Sequence, residues 1–334
     1  GHIHGGPFYY IENGMGKKWT WLAKIFAFFG AGVGLFGIGT FTQVNSIASA
    51  VKNFFDPDMA HTVSLFGGNY SWATVIAGLF LTVCVGLVVL GGIQRIAKVS
   101  EIIVPFMAVL YVGLAVIIII TNITQLPEVF SRIFSEAFGL RQVAGGGFGA
   151  VLMNGIKRGL FSNEAGSGSA PCAAAAAVSD NPVKVGLTQA LGVFIDTLMI
   201  CSCTAMIMLL TPTSLTKGLV GMDLLQKAME YHLGTFGVIF IAITLWLFSF
   251  STFIGILFYA RSNVAYLFGD NWFSQTAYKV LALVMLFVGG LATYTIVWDL
   301  GDVGIGLMTI FNIIMLYPLS RKALTALKNY EKAH

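Results

Sequence analysis

Long apolar runs dominate the pattern of hydrophobic and polar positions along this chain. A helix that crosses a bilayer needs about 20 consecutive apolar residues. Eight runs of about that length occur, at 19–50, 73–92, 102–121, 143–163, 186–210, 236–260, 276–298 and 302–319. The first run is over-long for one span, so we expect a helix there that tilts strongly or protrudes. The pattern predicts an all-α, polytopic membrane protein with eight spans.

One further segment is amphipathic rather than apolar throughout. Residues 123–140 read ITQLPEVFSRIFSEAFGL, which puts Val129, Ile133 and Phe138 near one helical face and the charged residues elsewhere. This pattern is typical of a helix that lies in the membrane interface.

Composition supports the same class of protein. Hydrophobic residues make up 57% of the chain and charged residues 10%, whereas soluble domains carry roughly 25% charged residues. Only a lipid bilayer solvates such a chain, so we expect a multi-pass protein of the cell (inner, plasma) membrane. The net charge of +4 is modest and the basic residues are scattered, which argues against nucleic acid as a partner. The four cysteines show neither metal-ligand nor disulfide spacing.

The distribution of Lys and Arg predicts the orientation. When the N-terminal end is placed in the cytoplasm, most basic residues between the spans also fall on the cytoplasmic side, as the positive-inside rule requires. An even number of spans then puts both chain ends in the cytoplasm.

Residues 151–171, VLMNGIKRGLFSNEAGSGSAP, are unlike any ordinary span. The segment is rich in glycine, and its polar residues include Lys157, Arg158, Asn163 and Glu164. Charge at membrane depth marks a pathway, a site or an internal ion pair, and weak helix formers beside it indicate a discontinuous helix that lines a cavity. We expect the helix to open near Asn154 to Arg158. The alternative is a cytoplasmic re-entrant turn whose charges lie among the lipid headgroups.

The acidic residues of this region need partners. We expect Glu164 to pair with Arg158 or Lys157. Asp196, a lone acid near the middle of the run 186–210, must be neutral or paired. Pairing with the same two bases would give one buried charge network, and the alternative for Asp196 is a site for a coupling ion or a proton. Nearby, Phe161 would wall a small pocket and the Asn163 amide could bind a ligand.

Two other spans carry polar faces. In the run 236–260, one helical face holds Thr244, Phe248, Ser251, Thr252 and Gly255. Adjacent hydroxyls and a nearby carbonyl suit Na⁺, although Ser and Thr hydroxyls in membrane helices more often bond their own backbone. In the run 19–50, Gln43 lies on a face of small residues, where it could bind a ligand or join two helices.

Several longer motifs resemble one family, the alanine/glycine:cation symporters, also called sodium:alanine symporters. The matching runs are GGPFYYIENGMGKKW (5–19), FGIGTFTQVNSIASA (36–50), GGIQRIAKVSEIIVPFMA (91–108), IKRGLFSNEAGSGSAP (156–171), NPVKVGL (181–187), GVFIDTLMICSCTA (192–205) and FSFSTFIG (248–255). The resemblance implies a leucine-transporter-type fold of two inverted five-helix repeats. It also implies symport of alanine, glycine or a similar small amino acid with Na⁺ by alternating access, with no cofactor besides the coupling ion. The partners are then the amino acid, Na⁺ and the lipid bilayer.

The same resemblance implies roles for particular residues. Gln43, Phe161 and Thr252 would line the amino-acid pocket, and Phe248 (through its carbonyl), Ser251 and Thr252 would contribute to a sodium site. The sequence departs from the family after Gly255, where Ile256 stands in place of the usual aromatic residue. Because the pocket then loses an aromatic wall, a larger substrate side chain becomes acceptable.

Members of the family usually begin with three more spans than this chain shows. We therefore expect residues 1–334 to form a single transporter domain with core helices three to ten, in which one inverted repeat is incomplete. The competing hypothesis is a fragment that is inactive alone, or a structural half that needs a separate N-terminal piece. An enzyme is not expected, because His61 and His232 fall in predicted outside loops, away from the acids Glu164 and Asp196.

Overall fold

A computed structural model describes residues 5–37, 39–89, 93–138 and 147–333. These residues are overwhelmingly helical, which confirms the all-α prediction. The exception in the described part is a short antiparallel hairpin, in which Thr62 pairs with Ser71 and Leu65 with Gly68. Its strands are β1 (Thr62–Leu65) and β2 (Gly68–Ser71).

The first half of the chain contains six helices among the described residues. They are α1 (Pro7–Met15), α2 (Thr20–Phe36), α3 (Phe41–Phe55), α4 (Trp72–Val89), α5 (Ile93–Thr121) and α6 (Leu126–Phe138), with 3₁₀ turns at Lys17–Trp19 and Ile123–Gln125. The α6 helix begins and ends close to the predicted interfacial segment.

The helices of the second half include the longest elements. They are α7 (Gly147–Asn163), α8 (Ala170–Ala174), α9 (Pro182–Phe194), α10 (Cys201–Leu209), α11 (Thr213–Thr216), α12 (Gly221–Phe268), α13 (Trp272–Leu291) and α14 (Tyr294–Ala333). A π-helical turn, Ile195–Ile200, joins α9 to α10.

Seven helical stretches in the described part are long and apolar enough to cross a membrane. They are Lys17–Phe55, Trp72–Val89, Lys98–Thr121, Pro182–Leu209, Gly221–Phe268, Trp272–Leu291 and Tyr294–Ala333. The eighth predicted span, 143–163, starts outside the described residues, and its described part, α7, is 17 residues long. The structure is thus that of a polytopic membrane protein.

The first predicted span is not one continuous helix. Its helix stops at Phe36 and starts again at Phe41. Gly39 adopts a left-handed φ of +80°, and a Cβ there would lie 2.2 Å from a side-chain carbon of Ile256. The Gly39 N–H donates to the side-chain oxygen of Gln43 at 2.6 Å instead of to the backbone. Glycine and a competing side-chain acceptor therefore interrupt the helix, so the run does not form the one continuous helix that was expected.

Two further boundaries differ from the sequence prediction. Within α12, Gly234 has a non-helical φ of 60° and ψ of −148°, which separates a short N-terminal arm from the apolar part. The last two spans were expected to meet near residue 300, whereas α13 ends at Leu291 and α14 starts at Tyr294. Asp302 lies inside α14 because its charge is paired with bases of α7.

Three apolar clusters hold the helices together. The first lies between α3, α4, α12 and α13 around Phe253 and Leu286. The second lies between α1, α2 and α14 around Phe8 and Phe26, and it includes Cys172 of α8. The third joins α5, α10 and the first half of α12. The second cluster supports the segment that follows α7.

A buried acid ties the hairpin to the end of α3. The Asp56 carboxylate accepts hydrogen bonds from the Ser71 hydroxyl at 2.5 Å and from the Ala60 N–H at 2.8 Å, and the residue is 3% exposed. The Ser71 hydrogen bond is the main cause that lowers the pKa of Asp56 below its ordinary value. Asp56 thus stabilises the hairpin while it is ionised.

We expect this contribution to depend on pH. Because the pKa of Asp56 is lower in the folded than in the unfolded chain, its stabilisation is present above the ordinary value of about 4 and is lost as pH falls through the folded value. Asp56→Asn should lower the melting temperature at neutral pH, and the difference from the wild type should shrink in acid. Asp58→Asn is the matched control. A difference between wild type and Asp56→Asn that stays constant into acid would contradict the assignment.

Candidate functional site

The α7 helix ends in a tight turn of residues 164–169. Glu164 has a left-handed φ of +51° and Gly168 one of +87°, after which α8 begins at Ala170. The Asn163 side-chain oxygen accepts the N–H of Ala165 at 3.0 Å and so ends the helical hydrogen-bond ladder. The prediction that the helix opens near Asn154 to Arg158 is therefore wrong. The helix is discontinuous, but its break lies about two to three turns later, after Asn163.

Hydrogen bonds from both sides hold this turn. The N–H and hydroxyl of Ser167 donate to the Glu164 carbonyl at 3.0 and 2.8 Å. The Asn312 amide of α14 donates to the Gly166 carbonyl at 2.9 Å, and the Ser167 and Ser169 hydroxyls lie 3.1 Å from each other. These hydrogen bonds give residues 164–169 a defined conformation.

An open cleft of about 1230 Å³ lies beside the turn. It is larger than the roughly 300–1000 Å³ of ordinary ligand pockets. Its walls come from α5, α7, α9, the π-helical turn and α12. The predicted site residues that line it are Asn163, Glu164, Asp196, Phe248, Ser251, Thr252 and Ile256.

The acid Asp196 lies on the π-helical turn at the wall of the cleft. Its carboxylate accepts a hydrogen bond from the Ser162 hydroxyl at 2.7 Å. Beside it, the Asn163 amide donates to the Thr197 hydroxyl at 2.8 Å. Single π-helical turns are frequent at functional sites. Two polar bridges thus join the end of α7 to this turn.

The predicted charge network divides into two groups. Lys157 and Arg158 pair with Asp302 of α14, with a Lys157 Nζ to Asp302 Oδ2 distance of 3.6 Å. The two acids Glu164 and Asp196 instead face the cleft, and among the described residues neither forms an ion pair with these bases. The expected pairing is therefore wrong. The sequence held a signal for Asp302, because it is a charged residue in an apolar run, as are Lys157 and Arg158.

Aromatic rings cover the basic group. The Arg158 guanidinium lies 4.9 Å from the ring centre of Trp298 and 5.3 Å from that of Phe161. The Phe161 ring stacks on Trp298 at 5.0 Å. Phe161 therefore contacts α14 and does not line the cleft in this structure.

Gln43 also lies away from the cleft. Its side-chain oxygen accepts from the Gly39 N–H and from the Thr42 hydroxyl at the break between α2 and α3. In this structure it completes the backbone hydrogen bonds of that break.

The predicted sodium ligands occupy one turn of α12 at the cleft wall. The Ser251 hydroxyl donates to the Phe248 carbonyl at 3.0 Å, which is the backbone bonding that membrane hydroxyls commonly make. Thr252, half-buried, also lines the cleft. The donor set is all oxygen, which is the chemistry that hard cations prefer, so these residues fit Na⁺.

Long apolar helices around a cleft, with polar groups and the end of a discontinuous helix in the cleft wall, are typical of secondary membrane transporters. The model of the sodium:alanine symporter family matches residues 1–334. The chain belongs to that family, which is one of transporters and not of enzymes.

Curated relatives agree with this assignment. The chain is 42% identical over 331 residues to the probable sodium/glutamine symporter GlnT of Bacillus subtilis. The aligned region covers 99% of this chain and 65% of that protein. The chain is 37% identical over 332 residues to the amino-acid carrier protein AlsT of the same organism, covering 99% of this chain and 66% of that protein. It is 35% identical over 339 residues to the sodium/alanine symporter AgcS of Methanococcus maripaludis, covering 99% of this chain and 70% of that protein. The chain thus spans about two thirds of the length of these relatives.

Proposed function

We propose that the chain carries out symport of a small neutral amino acid with Na⁺, in a cell membrane with both described ends on the cytoplasmic side. The observation that carries the proposal is the convergence, in one cleft, of the oxygen-rich turn of α12 with the polar end of α7. The names of the relatives, which include sodium/alanine and sodium/glutamine symporters, support the same coupling ion and substrate class.

The cleft offers complementary groups to a zwitterionic substrate. The carboxylate of Asp196 lines it and attracts an ammonium group. Thr252 and the Asn163 amide are neutral polar groups near the same wall, and Ile256 supplies an apolar surface for a side chain. Because Ile256 is aliphatic rather than aromatic, we expect room for a substrate larger than alanine, with glutamine as the case to compare.

Coupling would follow from the proximity of ion and substrate. Na⁺ at the Phe248 carbonyl and the hydroxyls of Ser251 and Thr252 would favour the arrangement of the cleft that also binds the amino acid. Binding free energies are reciprocal, so the amino acid must raise the affinity for Na⁺ by the same factor. Alternating access then moves both across the membrane together.

Uptake of labelled alanine, glycine and glutamine tests the proposal. We expect saturable uptake under an inward Na⁺ gradient, and none when K⁺ replaces Na⁺. Thr252→Val keeps the shape of the side chain but removes its hydroxyl, so it should raise the Na⁺ concentration for half-maximal uptake roughly tenfold, as for a lost bond to a charged group. The measurement should use the 334-residue chain and also the complete reading frame of its gene.

Thr188→Val is the matched control, since the Thr188 hydroxyl donates to the Lys184 carbonyl on α9 and does not line the cleft. Uptake that is indifferent to Na⁺ would refute the coupling. Uptake of none of the three amino acids would refute the substrate class.

A further inference from the structure

A second, much smaller cavity adjoins the turn of residues 164–169. Its volume is about 10 Å³, room for one water molecule or one bare cation. It lies between α2, the turn, α12 and α14. Glu164, Ser169, Ile256 and Tyr259 line both this cavity and the large cleft, so the two spaces share a wall.

The side chain of Asn263 is the unusual part of the lining. Asn263 is 2% exposed, and its amide nitrogen donates to the Tyr259 carbonyl at 2.8 Å. A carbonyl oxygen can only accept, so this bond fixes which end of the amide is the oxygen. Within the described part of the chain, that oxygen, Oδ1, has no hydrogen-bond partner.

The position of this oxygen is set by a glycine that lines the same cavity. A Cβ built on Gly30 would lie 2.4 Å from Asn263 Oδ1, so only glycine leaves the amide its place. A buried acceptor without a partner is unfavourable. Asn263 Oδ1 is therefore an acceptor in the cavity lining that a hydrogen-bond donor or a cation would stabilise.

The other polar groups in the lining also offer oxygen. They are the carboxylate of Glu164 and the hydroxyls of Ser167 and Ser169, which lie 3.1 Å from each other. Glu164 follows directly on the end of α7, where the helix dipole favours positive charge. Broken helices of transporters place cations at such C-terminal ends.

The charge balance points the same way. Among the described residues, Glu164 has no ion-pair partner, because Lys157 and Arg158 are held by Asp302. Another acid, Asp196, lines the same large cleft. Glu164 is half-buried, so its carboxylate is partly desolvated and is stabilised by a nearby positive charge, which a bound cation would supply.

We propose that this cavity binds one monovalent cation, with the Glu164 carboxylate and Asn263 Oδ1 as ligands and with the two serine hydroxyls completing the shell. One carboxylate with neutral oxygens balances a single positive charge. The described residues hold no group of three or more acidic, His or Cys residues that would suit a multivalent metal. This site is separate from the proposed coupling site at Ser251 and Thr252, and it joins the turn to α12.

Binding of radioactive sodium to the purified full chain tests the proposal, together with melting temperatures in NaCl and in N-methyl-D-glucamine chloride at equal ionic strength. We expect saturable binding and a higher melting temperature in Na⁺. Asn263→Leu, which is similar in size, should weaken the binding roughly tenfold or more, as loss of a ligand or its support does. Ser169→Ala should weaken it in the same direction and alters the packing less, so the test does not depend on one variant.

The control is Gln275→Leu. Gln275 is likewise a buried amide whose side-chain oxygen has no partner among the described residues, but it does not line the cavity. Its replacement should leave sodium binding unchanged. If Asn263→Leu and Ser169→Ala bind sodium as the wild type does, the proposal is wrong. Equal melting temperatures in the two salts would indicate a water molecule beside a protonated Glu164, which also refutes it.

The outcome is independent of the proposed symport. Thr252→Val removes a ligand of the coupling site and should leave binding in the cavity unchanged. Absent Na⁺-driven uptake, together with sodium binding that is sensitive to Asn263→Leu, would refute the transport function and support the cation site.

Discussion

Gly168→Ala is expected to lower the free energy of unfolding by about 2–5 kcal/mol, the largest effect that we predict on stability. Gly168 has a φ of +87°, and a left-handed conformation costs an L-residue roughly 1–2 kcal/mol. The new Cβ would also lie 2.6 Å from Pro7 Cγ and 3.0 Å from Phe26 Cζ, and overpacking costs typically about 1–3 kcal/mol. Denaturation of the purified chain in detergent measures the sum.

A matched glycine separates the two causes. Gly218 has a φ of +82°, but nothing lies within 4 Å of a Cβ placed there. Gly218→Ala should therefore show the conformational cost alone, about 1–2 kcal/mol. If Gly168→Ala costs no more than Gly218→Ala, the close packing of the turn against α1 and α2 is refuted.

Asp302→Asn should have the second large effect, a loss of about 1–3 kcal/mol. The Asp302 side chain is 13% exposed and those of Lys157 and Arg158 are 45% exposed. The pair is therefore intermediate between exposed ion pairs, at about 0–1 kcal/mol, and buried pairs that lose one partner, at about 3–5 kcal/mol. The same denaturation measurement applies.

Asp299→Asn provides the control on the same helix, because Asp299 is exposed. Its effect should stay within about 0.5 kcal/mol, as for most surface substitutions. A double-mutant cycle of Asp302→Asn with Arg158→Gln should show an interaction energy of at least about 0.5 kcal/mol. Additive effects of the two substitutions would contradict a direct ion pair.

Hydrophobic periodicity was enough to place most of the helices. The apolar runs 73–92, 102–121 and 186–210 correspond to α4, to most of α5 and to the α9–α10 stretch. Such runs locate a helix because each must keep its backbone hydrogen bonds internal in lipid. Breaks are harder to predict, because they depend on contacts between distant segments. The break after α2 needs Gly39 to pack on Ile256, more than two hundred residues away.

The site was predicted only in part, because some of its contacts also join segments that are distant in the sequence. Helical spacing brought Ser251 and Thr252 to one face, and the structure places that face at the cleft. The expected ion partner of Arg158 was wrong because Asp302, at the start of the run 302–319, was not considered as a partner. No local pattern indicates which acid a base will meet. Phe161 and Gln43 were assigned to the pocket by their positions in polar spans and by family resemblance, and their roles in binding stay predictions.

Helix α14 holds α7 at two separate levels. Asp302 binds the bases of α7, and Asn312, ten residues further along, donates to the Gly166 carbonyl just beyond its end. Ten helical residues span about 15 Å, so the two attachments resist both sliding and tilting of one helix against the other. Any rearrangement that opens the cleft must therefore move α7 and α14 together as one rigid body, or break both sets of contacts in the same step.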